Sequence, residues 1–514
     1  MKHLTLALTL CVGTFAAACG GGGSSNNTLP PPNVGFTNAN LSGQYAYEMS
    51  GEGQNGELIA RVGSFMADGN GGISAAVEDV NDGGSFSIVQ FTGGSYSIGT
   101  DGRGTLTLNG ATNSLGLNIA LSSSKGGVVV QTDGLAASSG SFDLQTTGAF
   151  SLTAINGQYS FGISGQDSNA APLSIAGEFA ATSGVLTGGV IDVNDGSNPG
   201  PSPTAPIPAG NFALDATFGA SNGRGTVTID GLTVAFYMVD GTRLRFLEED
   251  STNITVGDAF LQTGTIPTQS AGMSGSFAFL SAGAAVLGNL GAIARVGSAT
   301  FTGGTLSNVF LDDNNAGNHS ALGPDSGTFA IDATNAGSGR GTFTFTDAKG
   351  SFSYIFYLYS PTQAVLLETS NGLIGAGSMS QQPSSVSTSA LAGNNVFNWS
   401  GLTIPSSGNF GFEEDFIGQY ALSSGGAITG TADFTEPGST SSRGPVFTGV
   451  PLTGMFNAGT TGRNTYQATV SPGGGAPAST INFAAYVGAG NTIYLVTTDS
   501  NRVTAGTVVP QATP

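Results

Sequence analysis

Gly102-Arg103-Gly104-Thr105-Leu106-Thr107 returns as Gly223-Arg224-Gly225-Thr226-Val227-Thr228 and as Gly339-Arg340-Gly341-Thr342-Phe343-Thr344. A worn fourth copy reads Gly462-Arg463-Asn464-Thr465-Tyr466. Apolar residues alternate with threonine in these stretches, Leu106 and Leu108 against Thr105 and Thr107, Phe343 and Phe345 against Thr342 and Thr344. A period of two describes a half-buried strand with its threonines turned to water. Upstream, each copy opens on Gly43-Gln44-Tyr45-Ala46-Tyr47, Gly157-Gln158-Tyr159-Ser160-Phe161, Gly275-Ser276-Phe277-Ala278-Phe279 or the degenerate Gly393-Asn394-Asn395-Val396-Phe397. Downstream, each closes on an apolar run and a short last strand such as Phe142-Asp143-Leu144-Gln145 or Phe260-Leu261-Gln262.

The repeat spans roughly 115–120 residues, too long for a solenoid unit and right for one small domain per copy. Turn signals such as Asp68-Gly69-Asn70-Gly71-Gly72 and Asp82-Gly83-Gly84 punctuate it. With about eight strands per copy and no helical stretch, the reading is all-β: four tandem antiparallel β-domains, each a meander barrel or, alternatively, a sandwich. The domains are placed at residues 41–149, 155–266, 273–382 and 391–511. Two stretches break the alternation: Tyr354-Ile355-Phe356-Tyr357-Leu358 and Ala364-Val365-Leu366-Leu367 are apolar on both faces. Strands of that kind are buried on both sides, so they are expected to pack against the next copy.

Composition narrows the class. Of 514 residues 83 are glycine and only 9% are charged, which excludes a coiled coil or long helical bundle. The 31 Phe and 12 Tyr are too much apolar matter for a solvated, disordered chain. A net charge of −20, from 33 acids against 13 bases, excludes nucleic acid as a partner.

The N-terminus reads Met1-Lys2-His3, then an apolar run from Leu4 to Ala18, a short signal-peptide core rather than a membrane span. It ends Ala16-Ala17-Ala18-Cys19-Gly20, which resembles the lipobox of bacterial lipoproteins, with Ala16 where that family prefers Leu. The resemblance implies cleavage of residues 1–18 and a lipid, palmitate among its chains, on Cys19; the alternative is an ordinary secretory peptide. Residues 19–40 read as a tether, flexible through Gly20–Gly23 and stiffened at Pro30-Pro31-Pro32. The chain's two cysteines are Cys11 and Cys19, so the body has no thiol for a disulfide, a zinc site or a nucleophile. The expected address is exported and membrane-anchored, at the outer membrane or cell surface, held by the acyl chains.

At the level of pattern, the Gly-x-aromatic opening strand and the meander resemble lipocalin-like barrels. The whole mature chain is similar to Gly-rich tandem-repeat lipoproteins of bacterial envelopes, which carry like Gly-Arg-Gly-Thr and Asp-Val-Asn-Asp elements. That likeness implies the architecture and no activity.

Three sets of side chains are candidates for chemistry. Asp79, Asn81 and Asp82 in Glu78-Asp79-Val80-Asn81-Asp82 are echoed by Asp192-Val193-Asn194-Asp195 and Asp312-Asp313-Asn314-Asn315. Closely spaced oxygens suit Ca²⁺, whereas Asp and Asn before glycine are also ordinary turn chemistry, the preferred reading. Arg103, Arg224, Arg340 and Arg463 occur once per copy, and the structural reading pairs each with its own copy's acidic cluster. Glu248-Glu249-Asp250 and Glu413-Glu414-Asp415 offer paired carboxylates of the kind a glycosidase uses, but each occurs in one copy and reads as a solvated strand cap. His319 stands alone in an Asn-rich loop and reads as solvated. No cofactor and no catalytic residue is assigned. The expected function is non-enzymatic: an envelope lipoprotein whose β-domains bind an envelope or extracellular ligand or act as a spacer or adhesin. The alternatives are a carrier with small apolar ligands inside its barrels and an envelope carbohydrate hydrolase.

Overall fold

The computed structural model describes residues 35–514, apart from 54, 112–113, 203, 252, 289, 405–410, 436–445 and 472–477. The signal peptide, Cys19 and the tether as far as residue 34 lie outside the described residues. In the first domain eight strands follow one another: β1 (Ser42–Glu52), β2 (Leu58–Asp68), β3 (Gly72–Asp82), β4 (Ser85–Ile98), β5 (Arg103–Gly110), β6 (Ser114–Ser123), β7 (Gly126–Gln131) and β8 (Ala137–Leu144). Each is antiparallel to the one before, and β8 returns to β1 with Phe142 opposite Tyr47, closing a barrel. The third domain, from Ser274–Ala285 to Leu373–Gln381, and the fourth, from Gly393–Thr403 to Arg502–Pro510, close in the same way. Closure removes the unpaired edges that a two-sheet sandwich would keep.

The second domain is an open antiparallel sheet. Its first strands are β9 (Gly157–Gln166), β10 (Pro172–Thr182) and β11 (Val185–Asp195). The counterpart of β4 is broken into β12 (Asn198–Pro201), β13 (Ala205–Ile207), β14 (Gly210–Asn211) and β15 (Ala213–Leu214). The first three of these pair with β11, and β15 pairs with β16 (Arg224–Ile229), so no continuous strand joins the two sides. Pro199, Pro201, Pro206 and Pro208 explain the break, because proline has no N–H to give to a ladder. Phe212, between β14 and β15, packs its buried ring against Phe179 and Phe236 at 5.6 and 5.5 Å and fills the gap. The sheet continues through β17 (Leu232–Met238), β18 (Arg243–Glu248) and β19 (Ile254–Leu261), which pairs with β9.

The interiors are filled. Tyr45, Phe65 and Phe142 meet inside the first barrel; Phe343 stacks on Tyr354 at 4.7 Å in the third, and Trp399 on Phe397 at 4.1 Å in the fourth. The opening Gly-x-aromatic strand has a mechanical reason. Tyr47, Phe161, Phe279 and Phe397 stand directly opposite Gly63, Gly177, Gly297 and Gly418 on the second strand of their domains. Each ring lies over its glycine, where a Cβ would come within 2.5–2.6 Å of the ring. The pairing of aromatic with glycine recurs in all four domains and sets how the first two strands pack.

Four further apolar clusters join the domains in a ring. Val62 and Val77 of the first domain meet Tyr237, Leu247 and Val256 of the second. Ala176, Val190 and Phe260 of the second meet Tyr357, Tyr359, Val365 and Leu367 of the third. Leu280 and Val296 of the third meet Tyr486, Val496 and Val503 of the fourth. Val396, Ile417 and Val509 of the fourth meet Ala120, Val128 and Val130 of the first. The same two faces are used each time, so the arrangement is head-to-tail and closes after four units. The two-faced strands at 354–358 and 364–367 therefore cover the preceding domain, not the next one. At the closing junction Gly35 lies against Pro514, with the proline Cγ 3.2 Å from where a glycine Cβ would stand.

Candidate functional site

The residues singled out by the repeat meet at the seams of this ring. The first glycine of each Gly-Arg-Gly turn, Gly102, Gly223, Gly339 and Gly462, has φ between +70° and +86°, which a side chain would resist. That turn aims the following arginine across the seam. Arg224 sends Nε and Nη2 to the two oxygens of Asp79 at 2.8 and 2.7 Å. Arg340 does the same to Asp192 at 2.7 and 3.0 Å, and Arg463 to Asp312 at 2.8 and 2.6 Å. Each arginine binds the aspartate of the preceding domain, not of its own. The series closes on itself, since Arg103 of the first domain donates through Nη1 to both oxygens of Asp433 in the fourth, at 2.9 Å.

Three of the seams carry two more devices. A tyrosine faces the arginine: Tyr357 donates to Asp192 at 2.5 Å and Tyr486 to Asp312 at 3.0 Å, while Tyr237 stands opposite Arg224 on the neighbouring strand. Burial and then the carboxylate charge push the Tyr357 phenol up, so it stays a donor. An asparagine amide caps a turn of the following domain. Asn81 donates to the carbonyls of Glu248, Asp250 and Asn253, Asn194 to those of Glu368 and Leu373, and Asn314 to those of Thr497 and Arg502. At the closing seam Ala120 occupies the tyrosine position and Thr435 the asparagine position. A glutamine follows the last strand of every domain: Gln145, Gln262, Gln382 and Gln511. Their side chains donate to backbone carbonyls of the next domain, Met238, Ser338 and Val487 in turn, and Gln511 to Leu121 of the first.

This geometry redefines the candidates. Both carboxylate oxygens of Asp79 face Arg224 and the amide of Asn81 faces carbonyls, while Asp82 sits at an exposed turn. Among the described residues, no three His, Cys, Asp or Glu side chains gather as a metal ion requires. His319 is not simply solvated, because its Nε2 lies 2.9 Å from Asp312 Oδ1. Burial pushes the Asp312 carboxyl up, but hydrogen bonds from His319 and Arg463 outweigh it and hold the group below the usual range.

The acidic triplets are not solvated caps either. Glu248 is 1% exposed; its oxygens accept from Asn253 and Thr255, and burial lifts it to about 7. Glu249 pairs with Arg224 at 2.8 Å. Glu413 and Asp415 are 3% and 0% exposed and face the first domain, while Glu414, 2% exposed, turns to the inner face of its own barrel. Ser139 of that domain donates to Asp415 at 2.5 Å, the Glu413 N–H reaches Glu52 at 3.4 Å, and Arg502 bridges Glu414 at 3.2 Å. Repetition of one Arg, one Asp and a terminal Gln per copy was the signal for this network, and the Gln was read as part of the closing strand instead of as a contact just past its end.

A polar cavity of about 470 Å³ opens at one mouth of the third barrel, lined by Arg295, Asp313, Asn318, Lys349, Phe352 and Ser370. The Phe352 ring lies under the Arg295 guanidinium at 4.8 Å and stacks on Phe345 at 5.0 Å. Arg295 is bound to Asp313 and Glu368.

The fold and its seams define an all-β protein of four antiparallel β-domains locked head-to-tail. No protein-family model matches the chain, and no curated protein matches it. Among solved structures, the chain has distant similarity to the isotype 1 transferrin binding protein B from serogroup B Neisseria meningitidis. Identity is 10% over 72% of this chain and 78% of that one, with a TM-score of 0.21. A mutant transferrin binding protein B from Haemophilus parasuis Hp5 is similar at 8% identity over 76% and 82%, with a TM-score of 0.19. A likeness at that level carries no argument about ligands.

Proposed function

We propose that this chain is a non-enzymatic envelope lipoprotein, anchored through lipid on Cys19, whose four domains at 41–149, 155–266, 273–382 and 391–511 form one block that presents its loops to an envelope or extracellular ligand. The observation that carries the reading is the closed circuit of Arg–Asp bridges, ending on Arg103 and Asp433. A row of beads serving as a spacer needs reach, which a ring does not have. The alternatives find less support. The interiors hold stacked aromatic side chains where a carrier needs an apolar cavity. The paired carboxylates a hydrolase would need are buried in seams, away from any polymer.

The test is fractionation of cells producing the full chain or its Cys19→Ala variant, with labelled palmitate. Label on the native chain at the membrane, and an unlabelled variant in the soluble fraction, is the expected result. Membrane retention of the unlabelled variant overturns the anchor. Hydrolysis of envelope polysaccharide by the purified variant overturns the non-enzymatic reading.

A further inference from the structure

We propose that the seam between the fourth and first domains is a pH-gated latch, closed in mild acid and released above neutrality, while the seam between the third and fourth stays shut. Two independent observations carry this. First, the seam is the weakest of the four: it lacks the tyrosine and the asparagine, with Ala120 and Thr435 in their places. Its arginine grips Asp433 through one nitrogen instead of the two-nitrogen fork that Arg224, Arg340 and Arg463 make. Second, among the described residues this seam buries two acids, Glu413 and Asp415, that no arginine bridges, whereas Glu48 and Asp143 at the first seam meet Arg245 and Arg243. Glu413 and Asp415 of the fourth domain face Glu52 and Ser139 of the first; Glu414 points the other way, bound to Arg502 and Thr504 inside its own barrel, and the Arg103, Asp101 and Asp433 group lies farther along. Among the described residues, Glu413 Oε2 and Asp415 Oδ2 are buried and meet no hydrogen-bond donor.

Burial, joined by the charges of Asp415, Glu52 and Glu414, raises the Glu413 carboxyl well above its ordinary value. Burial raises Asp415 to about 7, although the Ser139 hydrogen bond opposes it. The closed seam therefore holds protons that the same groups release in water near pH 4. Between those values the closing equilibrium falls about tenfold per pH unit for each group, and above the upper value the loss is complete. Acid thus favours closure.

The chain with Cys19→Ala has no cysteine after residue 19, so spin labels can be placed at will. Thr100→Cys with Thr448→Cys puts two exposed labels beside the Arg103–Asp433 bridge. Asn318→Cys with Ser500→Cys, beside the contact of Gly317 with Ser500, reports the third seam as control. Pulsed electron–electron distances at pH 5 and 8.5 are the readout. The expected result is one short distance for the first pair at pH 5, a longer one prevailing at pH 8.5, and a control pair that does not change. An unchanged first pair overturns the latch, as does lengthening of both pairs together. Adding Glu413→Gln and Asp415→Asn should keep the first pair short at pH 8.5. If that variant folds and still opens, the carboxylates are not the gate; if it does not fold, the native titration alone decides.

Discussion

Arg103 and Asp433 stand 330 positions apart in the chain, yet Nη1 of the arginine lies 2.9 Å from each oxygen of the aspartate. The bond repeats, across the first and last domains, the contact that Arg224 makes with Asp79 between neighbours. It turns a tandem array into a circuit, and the consequences are measurable.

Removing an arginine should hurt according to what its buried aspartate has left to pair with. Arg224→Ala leaves Asp79, 0% exposed, without its cation, a loss of about 3–5 kcal/mol. Arg103→Ala should cost less, about 1–3 kcal/mol, since that arginine holds Asp433 through one nitrogen and the aspartate keeps the Gly449 N–H. Urea denaturation of the two variants compares them, and equal losses would contradict a weak fourth seam.

The asparagine cap makes a similar forecast. Asn314→Ala strips the carbonyls of Thr497 and Arg502 of a shared donor, at about 1–3 kcal/mol. Asn314→Asp should be no better, because a carboxylate cannot donate to a carbonyl. Amide hydrogen exchange in the turn at 498–501 should quicken in both.

Glu178, 4% exposed on β10, gives a pH signature. Burial lifts its carboxyl to about 7, against a hydrogen bond from Gln158. The folded chain keeps a proton that the unfolded chain releases near 4.5, so this group costs nothing below that pH. The cost grows from there to pH 7 and is constant above. Glu178→Gln should therefore match the native chain at pH 4 and exceed it by about 1–3 kcal/mol at pH 8. A gain at pH 4 instead would point to packing.

Calcium should do little. With Asp79 held by Arg224, millimolar Ca²⁺ is expected to move the melting temperature of the full chain no more than Mg²⁺ does. A true site occupied a hundredfold above its Kd would add about 2.7 kcal/mol. A Ca²⁺-selective rise of several degrees, abolished by Asp79→Asn with Asp82→Asn, would restore the ion-binding reading.

The strand pattern was legible because alternation of Leu or Phe with Thr admits one local geometry. The break in the second domain was not, because the meander was read from its repeats and proline interrupts a strand only where the neighbouring strand it faces needs its N–H. The arginines and aspartates were each visible once per copy. Their pairing was not, since spacing within a copy says nothing about which copy lies across a seam. The acids at 413–415 looked like caps for the same reason: charge suggests solvent unless another domain is known to cover it.

A ring can be cut anywhere. A circular permutant that joins Pro514 to Gly35 through a short Gly/Ser linker, and begins in the connection after Gln382, should fold with the same β-type spectrum and a stability within about 2 kcal/mol. Loss of cooperative folding would show that the fourth-to-first contact is not formed in solution.

The juxtaposition of Gly35 with Pro514 also decides how the molecule bears force. A tug on the leader enters where the first and last domains touch, not at one end of a string. From there the load divides, part passing forward through the second domain and part backward through the fourth. Each junction feels a share of the pull, whereas in a linear chain of beads every link would carry all of it.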